Sequence, residues 1–253
     1  MMDFKKGVFI SDIHLPDHID LKPLLKYMKD LKPDYVIFGG DIIDAKGMHG
    51  VESMSASQIK LSWYDRDKEL MLDLLRDVKK VCSKSAKIVF LEGNHEQRYR
   101  RVTSRYPDAF GGRFDFNRDC LQAVFPGSKW VSYGDYNSYY KLGDTIFKHG
   151  TVYPQNHAKA YAEVGSRAGM KTVYGHLHSF QAWTVHSDMP KIQPSRYAVT
   201  SGCLSTTEPE WKKGAPNMWI NGFIDFVLHD GIVTPAAHII EKGKFYIGGK
   251  EYK

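Results

Sequence analysis

Four short apolar runs stand out along the chain: Val8-Phe9-Ile10, Tyr35-Val36-Ile37-Phe38, Ile88-Val89-Phe90-Leu91 and Thr172-Val173-Tyr174. Unbroken runs of branched and aromatic residues, bounded by polar or glycine-rich turns, predict strands buried on both faces, as in parallel or mixed α/β sheets. Between them the period changes. Leu21, Leu24, Leu25, Met28 and Leu31 recur at helical spacing from Asp20 to Lys32, with lysines between them and Pro33 as a stop. Ile59, Trp63, Leu70, Leu74, Leu75 and Val78 do the same from Gln58 to Val81. Both stripes predict amphipathic helices, and strand, helix, strand is the βαβ pattern.

Later segments are more varied. Glu96 to Tyr106 is polar and helix-like, ending at Pro107, while Asp108 to Gly134 mixes glycines and aromatics and predicts only a short helix near Arg118 to Val124. Tyr139 to Leu142 and Thr145 to Lys148 predict a hairpin around Gly143-Asp144, and Asn156 to Gly169 an alanine-rich helix. From Gln181 onward the pattern turns to alternation, at Gln181 to His186, Arg196 to Ser201, Trp219 to Leu228, Gly231 to Ile240 and Phe245 to Ile247. A second sheet packing on the first is the simplest expectation. No internal repeat, low-complexity tract or linker interrupts residues 1–253, so one domain is expected.

The strand ends carry the chemistry. The first run leads into Ser11-Asp12-Ile13-His14; in an extended segment alternate side chains point the same way, so Asp12 and His14 are expected to converge. The second ends in Gly39-Gly40-Asp41-Ile42-Ile43-Asp44, the third in Glu92-Gly93-Asn94-His95-Glu96, the hairpin in His149-Gly150, and the last in Gly175-His176-Leu177-His178. Ligands of α/β sheets sit at the carboxyl ends of strands. Any one of these motifs, a capping Asp or a lone H-x-H, is common decoration. Together they form a mixed set of imidazoles, carboxylates and an amide, which suits Mn, Fe, Zn, Ni or Co better than the all-oxygen shells of Ca or Mg. Asp12, His14, Asp41, Asn94, His149, His176 and His178 are too many for one catalytic metal with an open position. They fit two metals with a bridging carboxylate, the arrangement that clamps attacking and leaving oxygens in phosphoryl transfer.

Composition adds little to this. The formal charge of +6 favours an anionic partner without naming one. Arg98, Arg101 and Arg105 share a helical face beside the strand ends, and are candidates for holding substrate phosphate or for an ordinary solvated face. The three cysteines, Cys82, Cys120 and Cys203, make neither a disulfide framework nor a zinc site and are expected to be small buried hydrophobes. With neither a signal-peptide pattern nor a membrane-length apolar run, a cytoplasmic location is expected.

In order, spacing and residue type, Asp12-x-His14, Gly40-Asp41-x-x-Asp44, Gly93-Asn94-His95-Glu96, His149-Gly150 and Gly175-His176-x-His178 resemble the calcineurin-like metallophosphoesterase family, over about Phe4 to Cys203. The resemblance implies a four-layer α/β/β/α sandwich of two mixed sheets flanked by helices. It also implies two divalent transition-metal ions, Mn foremost: Asp12, His14 and His178 on the first, Asn94, His149 and His176 on the second, and Asp41 between them. A hydroxide shared by the ions would attack phosphorus, and His95, oriented by Asp44, would protonate the leaving oxygen. The family's DNA-repair branch carries a further capping domain, for which the fifty residues that follow Cys203 are expected to be too few. The stretch Ser201-Gly202-Cys203-Leu204, followed by Trp211, Gly214-Ala215-Pro216-Asn217, Trp219 and Gly222-Phe223, is similar to small phage and bacterial members of the family.

The expectation is therefore a phosphodiesterase acting on nucleotides or nucleic acid, DNA or RNA, with a phosphomonoesterase as nearest rival. A non-catalytic binding module is the reading from another class. The residues leave native substrate, metal identity and oligomeric state open.

Overall fold

Residues 4–134, 137–151, 154–185, 196–209, 213 and 217–253 are described by the computed structural model. Each of the four apolar runs is a strand. β1 (Lys5–Ile10), β2 (Tyr35–Phe38) and β3 (Lys87–Leu91) lie parallel in one sheet, and the run before the last pair of histidines is β7 (Lys171–Tyr174) in another. α1 (Lys22–Leu31) and α2 (Leu61–Val81) are the two amphipathic helices. Pro23 opens α1, where its missing N–H costs nothing, and Lys32 closes it in the left-handed region at φ 51°.

α3 (Asn94–Arg105) follows β3 directly. The region that the pattern left unordered contains a short helix, α4 (Pro107–Phe110), a π-helical turn (Asn117–Gln122) where a short helix was expected, and a strand, β4 (Lys129–Val131). β4 escapes the pattern because only three residues pair, at the exposed edge of the sheet beside β3. The hairpin is β5 (Tyr140–Leu142) and β6 (Thr145–Lys148), and α5 (His157–Arg167) precedes β7.

The C-terminal strands correct the expectation of a separate sheet. β8 (Ala182–Val185) and β9 (Arg196–Thr200) complete a five-stranded sheet of order β5-β6-β7-β9-β8. β10 (Gly222–His229) and β11 (Ile232–Ile239) instead return to the first sheet, giving the order β11-β10-β1-β2-β3-β4. β10 runs antiparallel to β1, with Phe9 opposite Ile224 and Gly7 opposite Phe226. It covers the edge that β1 would otherwise expose, and its Phe223, Ile224 and Phe226 are buried. A final hairpin, β12 (Phe245–Ile247) and β13 (Lys250–Tyr252), stands apart. Of the expected C-terminal pattern, His186, Trp211, Lys212 and Gly214 to Pro216 lie outside the described residues.

Layering follows from side-chain alternation. On β1 and β2, Val8, Ile10, Val36 and Phe38 pack with Leu24, Met28, Leu75 and Val78 of α1 and α2. The intervening Phe9 and Ile37 face the other way and join Phe147, Val173 and Val199 of the second sheet, making a core between the sheets. On the far side, Tyr161 and Ala162 of α5 meet Tyr174 and Ala198. The result is the four-layer α/β/β/α sandwich, with two mixed sheets flanked by helices. No helix among the described residues is long and apolar enough to cross a membrane.

Candidate metal centre

β1, β2 and β3 of one sheet and β6, β7 and β9 of the other end on the same side, and the loops leaving them are laced together. Asp12 N donates to Gly40 O (3.0 Å), His14 N to Asp41 O (3.0 Å), Gly175 N to His149 O (2.9 Å) and Leu204 N to Asp12 O (2.9 Å). Close approach of these loops excludes side chains at some positions: a Cβ on Gly93 would overlap Asp41 Oδ1 and the Asp41 backbone nitrogen.

Strand alternation is not what brings Asp12 and His14 together. Both have left-handed backbone, at φ 56° and 53°, as do Asp41 (51°), His176 (76°) and His178 (56°). Residues other than glycine are uncommon there, and each such position costs of order 1–3 kcal/mol that the surrounding structure must offset. The strands end before the candidate ligand residues, and tight turns aim them. The two histidines of Gly175-His176-x-His178 accordingly diverge, His178 toward His14 and His176 toward His149.

Two clusters result. In the first, His14 Nε2 lies 3.1 Å from His178 Nε2, which is 3.3 Å from Asp12 Oδ1. In the second, His149 Nε2 lies 3.1 Å from Asn94 Oδ1 and 3.2 Å from His176 Nδ1. Asp41 Oδ2 stands between them, 3.2 Å from His149 Nε2 and 3.9 Å from His14 Nε2. The outer ring nitrogens are tied down. His149 Nδ1 donates to Gly39 O (2.7 Å) and His14 Nδ1 to Asp44 Oδ1 (3.1 Å), which turns each Nε2 lone pair into its cluster. This is the usual support of a metal-binding imidazole.

The residues fit metal ions. Two Nε2 lone pairs facing each other, with Asp12 Oδ1 fully buried and without a hydrogen-bond partner, form a cradle of acceptors. Donor separations near 3.1–3.3 Å match the edges of a shell with bonds of about 2.0–2.2 Å. Burial by itself would raise the Asp41 carboxyl, yet the imidazoles of His149 and His95 hold it well below its usual range; His178 lowers Asp12 in the same way. Burial pushes His176 down to about 4, helped by His149.

His95 adjoins both clusters, with Nε2 3.9 Å from Asp41 Oδ2. Its Nδ1 donates to the backbone oxygen of Asp44 (2.6 Å), and the Asp44 carboxylate is 3.4 Å from the same nitrogen. Asp44 is thus shared, with its shorter side-chain contact going to His14. Burial pushes His95 down to about 4, Asp41 pulling the other way and His14 and Arg98 adding to the fall. Arg98 lies against the imidazole and donates to Asp44 O (3.2 Å).

The three arginines part company here. Arg98 lines the cavity above the clusters, but Arg101 pairs with Glu52 (3.3 Å) and Arg105 donates to the Glu52 backbone oxygen. The basic face is tied to the loop before α2. The cavity measures about 1050 Å³, and its walls include His18, Lys46, His49, Glu208 and Trp219. Trp219 packs on His178, ring centroids 4.2 Å apart.

Glu96 went without a role in the sequence. It is buried, and its carboxylate accepts from the backbone amides of Gly93 (2.9 Å), Asp41 (3.0 Å), Ile42 (2.7 Å) and Ile43 (3.2 Å), clamping the loops after β2 and β3 together. Burial and Asp41 push it up to about 7. Its position right after Asn94-His95 was the available signal. Ser11 carries no signal of its own in the sequence, yet its hydroxyl meets Asp12 Oδ2 and Gly39 O (3.1 Å).

A family model described as calcineurin-like phosphoesterase matches residues 6–180. Among solved structures, the chain is similar to a double mutant of Vps29 from Entamoeba histolytica, at 12% identity and a TM-score of 0.50, over 95% of this chain and 96% of that one. At that identity the likeness is one of fold. It is also similar to wild-type Vps29 of the same organism complexed with zinc, at 13% identity, TM-score 0.49, over 95% and 96% of the two chains. A predicted phosphoesterase from Streptococcus pneumoniae matches at 14% identity and TM-score 0.41, over 100% and 99%. No curated protein matches the chain.

Proposed function

The chain belongs to the calcineurin-like phosphoesterase family, and on that premise we propose that it is a metal-dependent hydrolase of phosphodiester bonds in nucleotides or nucleic acid. The observation that carries the reading is the pair of acceptor clusters sharing Asp41, with His95 beside them on the floor of one cavity. Asp12, His14 and His178 would hold one divalent ion, Asn94, His149 and His176 another, and Asp41 both; Mn is the proposed metal. Such ions supply Lewis-acid polarisation of the phosphoryl oxygens and acidify water for attack on phosphorus.

The protein's own groups do the rest. His95, with its proton on Nδ1 fixed by Asp44 O, has Nε2 as the atom that takes up a second proton and passes it to the leaving oxygen. The Asp44 carboxylate stabilises the resulting imidazolium from 3.4 Å. Arg98, on the cavity wall next to His95, is placed to meet a non-bridging phosphate oxygen. A cavity of about 1050 Å³ accommodates groups on both sides of a diester.

A phosphomonoester substrate is the second reading, and one observation favours it: Arg101 and Arg105 are engaged with Glu52, which leaves Arg98 as the one arginine of that face at the cavity. The test is Mn-dependent hydrolysis of bis-p-nitrophenyl phosphate against p-nitrophenyl phosphate, followed by labelled single- and double-stranded DNA and RNA at low and moderate salt. Diester cleavage supports the proposal. Monoester cleavage alone moves the assignment to a phosphatase, and metal binding with neither activity makes the protein a binding module.

A further inference from the structure

His157 belongs to neither cluster, yet it is 4% exposed, in the first turn of α5, with both ring nitrogens engaged. Its Nδ1 lies 2.6 Å from the Tyr174 hydroxyl and its Nε2 lies 2.8 Å from the Ser179 hydroxyl. Those partners flank one loop. Tyr174 is the last residue of β7, Ser179 follows His178, and between them run Gly175, His176, Leu177 and His178. One imidazole therefore bridges the start and the end of the segment that supplies a donor to each cluster.

The loop needs such a bridge. His176 and His178 both have left-handed backbone, at φ 76° and 56°, and strained residues persist only where their surroundings over-determine them. Asp44 orients His14, and Gly39 O orients His149, each through the outer ring nitrogen. His178 lacks that support: its Nδ1 is buried without a hydrogen-bond partner. Beyond the contacts of Nε2 with His14 and Asp12, its orientation rests on its backbone and on packing against Trp219. Ser179 is the next residue along that backbone, and His157 holds it.

The rest of α5 strengthens the attachment. Gln181 accepts from Ala158 N (3.3 Å) and donates to Gln155 O (2.8 Å), fastening the chain just beyond the loop to the start of the helix. One turn on, the Tyr161 hydroxyl accepts from Thr151 N (2.7 Å), just past His149. The first turns of α5 thus touch the segments on both sides of the second cluster.

We infer that His157 is a positioning residue for both metal sites, holding the Gly175–His178 loop in its strained metal-binding form through Tyr174 and Ser179. The inference rests on the metal-centre reading above. A neutral imidazole can donate through one nitrogen and accept through the other, and hydroxyls rotate to suit, so one side chain satisfies both anchors. Burial lowers the pKa of His157, in keeping with the neutral form.

The experiment is a metal-binding isotherm with Mn, together with the visible spectrum of the Co-loaded protein, on the full chain and on His157→Ala, Ser179→Ala and Tyr174→Phe. Groups that hold metal ligands in place typically contribute about 10- to 100-fold in affinity, and a loss of that size is expected for His157→Ala. Smaller losses are expected for the two single-anchor variants, with altered Co ligand-field bands in each. His157→Gln, which keeps a donor and an acceptor, should recover part of the loss. Tyr27→Phe is the control. It removes the hydroxyl of another buried tyrosine, bonded to Asp225 between α1 and β10, and should lower Tm without altering either metal readout.

Unchanged Mn affinity and Co spectrum in His157→Ala would overturn the inference, as would an affinity loss that Tyr27→Phe reproduces. If His157→Ala does not fold, Ser179→Ala and Tyr174→Phe decide by the same criteria. Failure of the unmodified chain to bind Mn or Co would instead overturn the metal-centre reading itself.

Discussion

Around α2, Tyr64 donates to Asp119 (2.7 Å) and Tyr99 to Asp67 (2.7 Å), so each buried hydroxyl meets a carboxylate. At the strand ends, His14 Nε2 faces His178 Nε2 at 3.1 Å, and Asp12 Oδ1 has no hydrogen-bond partner. Both regions are buried, and their ionisation runs in opposite directions. Burial raises the Asp67 carboxyl, with Tyr99 only partly opposing it. Imidazoles hold Asp41 well below its ordinary value in spite of burial. A polar network that serves folding alone pairs each donor with an acceptor, for about 1 kcal/mol net per bond. One that turns acceptors toward each other is stable only when something positive occupies the space between them.

The contrast can be broken by substitution. The largest effect is expected for Asp41→Ala, which removes the carboxylate common to both clusters: metal content should fall at both sites and activity by about 10³-fold or more, read by elemental analysis and a diester assay. Retention of two ions would remove Asp41 from its bridging place. His95→Ala comes next. Turnover should fall by about 10²–10⁴-fold with metal content unchanged, and an equal loss of metal would count against its role as proton donor.

Arg98→Ala is expected to lower kcat/KM about 10- to 100-fold, the range for a lost charge-assisted bond. Tyr99→Phe probes the other side of the comparison. It leaves Asp67 buried without its donor and should lower stability by about 1–3 kcal/mol in denaturant titration while metal binding and turnover stay as they were. Arg101→Ala should do least, since its pair with Glu52 is more than half exposed on both sides and such pairs are worth about 0–1 kcal/mol. Loss of nucleic-acid cleavage in Arg101→Ala would restore that arginine face to the substrate path.

Much of this architecture was legible residue by residue. The runs at Tyr35 to Phe38 and Ile88 to Leu91 are buried strands because their side chains serve the helix-facing core and the inter-sheet core in alternation. The spacing from Leu21 to Leu31 predicts α1 for the same local reason. Motif order likewise singles out Asp12, His14, Asp41, Asn94, His149, His176 and His178 as candidate ligands, and the fold gathers them in two adjoining clusters. Periodicity failed where pairing is short or partners are remote. β4 forms three residues of edge pairing, and β10 and β11 carry an ordinary alternating pattern that suits either sheet.

What the chain determines locally is therefore the identity of its strands and helices and the donor types placed after each strand, since apolar periodicity and residue chemistry are properties of neighbours in sequence. Only the tertiary structure decided that left-handed turns, and not strand alternation, aim His176 and His178 apart, that Arg101 and Arg105 turn to Glu52, and that His157 reaches across to Tyr174 and Ser179. Each of these depends on left-handed turns or on contacts between segments far apart in sequence. A strained backbone angle is set by the packing around it, and no pattern along the chain records it.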